Sequence, residues 1–197
     1  VSVLPRVGIE DVGVDLAVPE GVASHLPTGP LLTTYAAGTN GLIYHQIVAP
    51  LPALDPDQLS LLPYYASMLT EIGSAGRGYL ATQHLQHSLT GGISAFASFR
   101  GHIDDPDQTL SWFTLSSRTL NHKAAPMIAL LRETTIAPDL TERVRIRELV
   151  KQMRVRRESN ITGNGHGLAM SAAAGQFRPV TRLNDQLSGL PGIVRLK

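Results

Sequence analysis

Thr90-Gly-Gly-Ile-Ser-Ala-Phe-Ala-Ser-Phe-Arg-Gly101 runs through His102-Ile-Asp-Asp-Pro-Asp-Gln108 into Thr109-Leu-Ser-Trp-Phe-Thr-Leu-Ser-Ser-Arg-Thr-Leu-Asn121. Ile93, Ala95, Ala97 and Phe99 alternate with Ser94, Phe96, Ser98 and Arg100, a period of two that predicts a strand with one buried face. The pattern returns after the tip, as Leu110, Trp112 and Thr114 on one register or Phe113 and Leu115 on the other. Between them Asp104-Asp105-Pro106-Asp107 is turn chemistry, since proline presets φ and aspartate bonds its own backbone. The stretch is therefore an antiparallel hairpin. A lone hairpin is marginal in water, so the rest of the chain must supply further strands and a helical cover.

Upstream, Leu31 to Ala37 and Leu42 to Val48 are apolar runs around Gly38-Thr39-Asn40-Gly41, a loop whose Asn-Gly pair favours positive φ. They are expected to pair with each other and complete a four-stranded sheet. Residues 1–28, with Pro5, Pro19 and Pro27, read as an entry segment of short extended pieces and turns. Residues 29–197 then form a single domain. Asp55-Pro56-Asp57 opens a helix as N-cap, first-turn proline and dipole-matched acid. Leu59, Leu62, Tyr65, Ala66, Leu69 and Ile72 mark its apolar stripe, with Pro63 a candidate kink. Gly73 to Gly78 stops it, and Tyr79 to Leu89 is a second, shorter helix.

After Asn121, the residues Ala125, Ile128, Ala129, Leu131 and Thr135 predict another amphipathic helix, ended by Pro138. Leu140 to Ser159 is the longest helical stretch, with Leu140, Val144, Ile146, Leu149, Val150 and Met153 as its apolar set. Gly163-Asn164-Gly165-His166-Gly167 breaks that pattern, Leu168 to Phe177 is an alanine-rich helix, and short helix or turn continues to Lys197. The order ββααββαα plus a helical tail predicts an α+β fold: a mostly antiparallel four-stranded sheet with helices on one face. The opposite face is left for a partner or a cavity.

Composition narrows the functions. The 43% hydrophobic and 17% charged content suits a packed core, and the net charge of +1 offers no field for nucleic acid or an anionic membrane. Cysteine is absent, which removes thiolate metal sites and thiol nucleophiles. No apolar run reaches the roughly 18 to 20 residues of a membrane span, and residues 1–6 lack a signal-peptide pattern. The chain does not begin with methionine and reads as a piece cut from something longer.

The candidate chemistry is thin. His84 and His87 stand three residues apart on a helix, but a zinc site needs a third ligand and the nearest acid, Glu71, lies across the glycine-rich break. They read as exposed helix histidines. His166 could move a proton in its glycine-flanked loop, yet that loop does not follow a strand as a phosphate loop must. No Gly-x-Ser-x-Gly elbow exists, and the tip at Asp104 to Asp107 lacks the glycine and glutamate of a calcium loop. Arg143, Arg145, Arg147, Lys151, Arg154, Arg156 and Arg157 run among Glu142, Glu148 and Glu158. That run reads as a solvated helix face, with a positive wall for an acidic partner as the alternative. Aromatic interleaving is missing, which argues against single-stranded nucleic acid.

Several segments together resemble one family. They are Leu4-Pro-Arg-Val-Gly-Ile-Glu-Asp-Val12, Thr39-Asn-Gly-Leu-Ile-Tyr44, Leu61-Leu-Pro-Tyr-Tyr65, Leu69-Thr-Glu-Ile-Gly73, Leu89-Thr-Gly-Gly-Ile-Ser94, Phe99-Arg-Gly101, the arginine-bearing helix and Gly163-Asn-Gly-His-Gly-Leu-Ala169. Their order resembles the third of four homologous domains in presequence-protease-type members of the insulinase/pitrilysin zinc peptidases. The resemblance implies an α+β domain within two bowl-like halves that close around a peptide, with zinc in the first domain.

The family's inverted motif, H-x-x-E-H, places two histidine ligands and a glutamate base on one helix. Aligned on Gly73, those places hold Tyr64, Ser67 and Met68, which supply neither ligands nor base. The resemblance thus implies a non-catalytic domain without a metal of its own, inactive alone, that shapes the chamber wall. No catalytic residue is carried over, because the family's distal arginine and tyrosine belong to the fourth domain. Its implied partners are the other domains of its polypeptide and a peptide substrate, with no nucleic acid. The implied compartment is the cytoplasm in a bacterium and an organelle matrix in a eukaryote. A metal-free scaffold of the same fold, like the core subunits of respiratory complexes, is the alternative; a histidine-dependent hydrolase is a third.

Overall fold

A computed structural model describes residues 8–13, 15 and 18–196. Leu4 to Val7 of the first resemblance segment, Pro5 among them, and Lys197 lie outside the described residues. The chain divides into two units, residues 1–40 and 41–197.

In the first unit, β1 (Gly21–His25) pairs antiparallel with β2 (Leu31–Tyr35), Val22 opposite Thr34 and His25 opposite Leu31. The turn between them is built on Pro27, with Gly29 at φ 106° donating its amide to the Leu26 carbonyl at 2.9 Å. This corrects the expected pairing of the run after Leu31 with the run after Leu42. Asn40 and Gly41 do take positive φ, 51° and 78°. Their turn does not close a hairpin, because the ladder of β2 is taken by a strand from the supposed entry segment.

The second unit opens with β3 (Leu42–Pro50), followed by α1 (Pro56–Leu69), α2 (Tyr79–Leu89), β4 (Ile93–Gly101) and β5 (Thr109–Leu120). Its sheet has three strands in the order β3-β5-β4, both pairs antiparallel. The architecture is thus α+β as expected, with sheets of two and three strands in place of one sheet of four. The β4–β5 hairpin matches the reading of the sequence, and Asp107 donates its amide to the Asp105 carboxylate at 3.0 Å in the tip.

The register between Phe113/Leu115 and Leu110/Trp112 is decided by packing. Leu115 is buried with Met127 and Leu131 of α3 (Ala124–Ile136), and Ile93, Ala95 and Phe113 pack against them. Burying side chains of this size contributes about 1.5–3 kcal/mol each. Helix α3 turns Met127, Leu130, Leu131 and Thr134 inward, so the expected face through Ala125, Ile128 and Ala129 is wrong by about one position. Ile128 is 46% exposed. Pairing one residue further along a helix rotates the stripe by about 100°, and Met127 and Leu130 bury more apolar surface than the alanines.

Helix α1 is capped as expected: the Gln58 amide donates to the Asp55 carboxylate at 2.8 Å and the Asp55 amide to the Gln58 side chain at 3.2 Å. Its interior face holds Leu62, Tyr64, Ala66 and Leu69, so Tyr64, not Tyr65, is the tyrosine packed deepest. Helix α4 (Arg143–Gly163) is followed after one residue by α5 (Gly165–Ala174), then α6 (Pro179–Ser188) and α7 (Leu190–Val194). The glycine-flanked His166 therefore lies in the first turn of α5, and Leu149 alone of α4's expected apolar set is fully buried.

Candidate functional site

The aligned motif positions lie in the middle of α1, and each is committed to the protein's own structure. The Tyr64 hydroxyl donates to the Gly192 carbonyl of α7 at 2.8 Å. Its ring lies under the Arg157 guanidinium, 5.0 Å from the centroid, and Arg157 also donates to the Leu187 carbonyl at 3.2 Å. Gly192 has no room for a side chain, because a Cβ there would collide with the Leu187 carbonyl oxygen. Ser67 points outward and donates to the Pro63 carbonyl at 2.8 Å, while Met68 is half-buried. Pro63 offers no N–H to the turn before it, so the chain tolerates a missing bond there.

A phenol and a hydroxyl that both donate to carbonyls, beside a thioether, do not make a zinc site. Among the described residues no three histidine, aspartate or glutamate side chains come together. His84 and His87 are exposed on α2. Glu71, the acid nearest them in sequence, accepts from Gln83 at 2.9 Å and from Arg145 at 3.1 Å. Burial raises the Tyr65 phenol above its ordinary value.

The densest polar cluster joins the α1–α2 loop to the start of α4, and the sequence showed it only as part of a charge run. The Glu142 carboxylate accepts the Gly73 amide at 2.7 Å and the Tyr79 amide at 2.9 Å, one through each oxygen. Gly73 is fixed there because a Cβ would collide with the Arg77 carbonyl. Arg145 bonds the Glu71 carbonyl and carboxylate and lies 4.5 Å over the Tyr79 ring. Arg77 pairs with Glu133 of α3. The available signal was the glycine-rich loop itself, whose bare amides must find acceptors.

Of the seven basic residues on α4, Arg145, Arg154 and Arg157 are engaged this way, Arg154 with Glu158 at 3.1 Å. Arg143, Arg147, Lys151 and Arg156 are exposed. A hollow of about 360 Å³ at the start of α4 is lined by Tyr79, Glu142, Arg143, Arg145 and Glu148, among others. Its acids and bases offset one another. A second, of about 450 Å³, lies between α1 and α6–α7 and has Leu59, Leu183, Leu187 and Pro191 on its walls. No helix of the described residues is long and apolar enough to cross a membrane.

What the fold and these contacts define is an α+β domain whose would-be metal positions are structural. A family profile described as peptidase M-16C associated matches residues 1–197, and the chain belongs to that family. Presequence protease 1, chloroplastic/mitochondrial, of Arabidopsis thaliana is 26% identical over 155 residues, covering 77% of this chain and 14% of that protein. The mitochondrial presequence protease of Danio rerio is 26% identical over 159 residues, 81% of this chain and 16% of that protein. Protein HypA of Clostridium perfringens is 25% identical over 133 residues, 66% of this chain and 14% of that protein. The resemblance to a non-catalytic domain of a presequence-protease-type peptidase is borne out, and the chain spans about one-seventh to one-sixth of these relatives' length.

Proposed function

We propose that this domain forms part of the wall of a closed peptide-degrading chamber in a zinc metallopeptidase, whose metal sits in another domain of the same polypeptide. The observation that carries this reading is the commitment of Tyr64 and Ser67 to backbone carbonyls at the places where the family's motif would put a ligand and a base. Such a domain contributes geometry: a chamber that admits an extended peptide and excludes folded protein holds the scissile bond near the metal. In a eukaryote the compartment is an organelle matrix, in keeping with the names of the plant and fish relatives; in a bacterium it is the cytoplasm.

The test compares the full-length protein with residues 1–197 alone. The full-length protein should carry zinc and cleave unstructured peptides while sparing folded proteins, and the shorter chain should do neither. Turnover by residues 1–197 would overturn the reading. A flanking polypeptide without H-x-x-E-H would replace it with the scaffold alternative.

A further inference from the structure

The outer edge of β3 lacks a neighbour among the described residues, and two backbone bonds fix which of its groups face outward. The Asn121 amide donates to the Gly41 carbonyl and the Leu51 amide to the Ser111 carbonyl, both at 3.0 Å. Both bonds belong to the register that sets Ile43 opposite Thr119 and Ala49 opposite Phe113. Odd-numbered residues of β3 therefore bond β5, and even-numbered ones turn their N–H and C=O away from it. Tyr44, Gln46 and Val48 present these groups at the edge. Pro50, which has no N–H to present, ends the row as edge prolines do.

The side chains of this strand are bare on both faces. Ile43 and Ile47, on the side that carries Leu115, are 38% and 42% exposed; Tyr44 and Val48, on the other, are 61% and 53% exposed. The helices that pack on the sheet sit against β4 and β5. A long apolar edge left open invites pairing with any extended segment, and proteins shield such edges.

We propose that the β3 edge is paired by a strand of the same polypeptide outside residues 1–197, which extends the sheet beyond three strands and covers Ile43, Ile47 and Val48. This rests on membership of the family, whose members matched here are several times longer than this chain, and stands apart from the peptidase reading. A peptide that comes and goes would leave four apolar side chains bare between visits. A tethered strand is present continuously at an effective concentration on the order of millimolar.

A photo-crosslinking residue placed at the exposed Gln46 of the full-length protein, read with amide hydrogen exchange, tests this. The expected result is a crosslink to a segment outside residues 1–197, with the amides of Tyr44, Gln46 and Val48 exchanging as slowly as those of Ile43, His45 and Ile47. Protection that appears only when an unstructured peptide is added would overturn the proposal in favour of a substrate strand. A crosslink to a second copy, or to residues within 1–197, would overturn it too. So would fast exchange of the three even-numbered amides beside slow exchange of the odd-numbered ones. None of these outcomes depends on whether the full-length protein is a peptidase.

Discussion

The Tyr64 hydroxyl and the Gly192 carbonyl, 128 residues apart in sequence, meet at 2.8 Å in a buried contact that holds α7 against α1. Removing the hydroxyl leaves the Gly192 carbonyl without its donor. Tyr64→Phe should therefore cost about 1–2 kcal/mol in urea unfolding. Gly192→Ala should cost more, because its Cβ would collide with the Leu187 backbone oxygen. The reverse order of the two variants would mean that the helix contact, rather than the close approach, dominates.

Glu142 serves two amides with one carboxylate. Glu142→Ala strips acceptors from Gly73 and Tyr79 together and should destabilise by about 2–3 kcal/mol. Glu142→Gln keeps one acceptor oxygen and should fall between wild type and alanine. Hydrogen exchange should show Gly73 and Tyr79 amides exposed first in Glu142→Ala; unchanged protection there would refute the assignment.

On α4, Arg145 and the exposed basic residues should behave differently. Arg145→Lys loses both the stacking on Tyr79 and the forked bonds to Glu71, and should cost about 1 kcal/mol or more. Arg147→Gln and Lys151→Gln should change stability by less than about 0.5 kcal/mol. Equal losses at all three positions in chemical denaturation would contradict the division between engaged and solvated charges.

Asp139 accepts from the Thr141 hydroxyl at 2.6 Å and the Thr141 amide at 2.9 Å, and these bonds hold its carboxyl below the ordinary 3.8. A depressed folded-state value means that the stabilisation is present above the unfolded value and is lost as pH falls through the folded one, below 3.8. An NMR titration should give Asp139 a low midpoint that Thr141→Ala moves upward. An unmoved midpoint would show that the side-chain bond is not its cause.

The parts of the fold legible in the sequence were those set by neighbours in the chain. The Asp55 cap, the helix from Tyr79 to Leu89 and the hairpin around Asp104 to Asp107 all follow from local chemistry. The pairing of β2 was not legible, because Pro27 with Gly29 and Asn40 with Gly41 are both turn signals, and only the whole ladder decides between them. The inward face of α1 depended on which tyrosine α7 would meet, a contact 128 residues distant. Of the site, the unfitness of Tyr64, Ser67 and Met68 for zinc was readable from side-chain chemistry. The roles of Glu142 and Arg145 were hidden, because a charged residue on a helix looks the same in sequence whether it meets water or a bare amide.

Whether α1 is purely structural is checked by the zinc content of the full-length protein, measured for wild type and for the Tyr64→Phe and Ser67→Ala variants. The same metal content is expected in all three, because the ion is held by another domain. Loss of zinc in either variant, with the fold intact by circular dichroism, would contradict that placement of the metal.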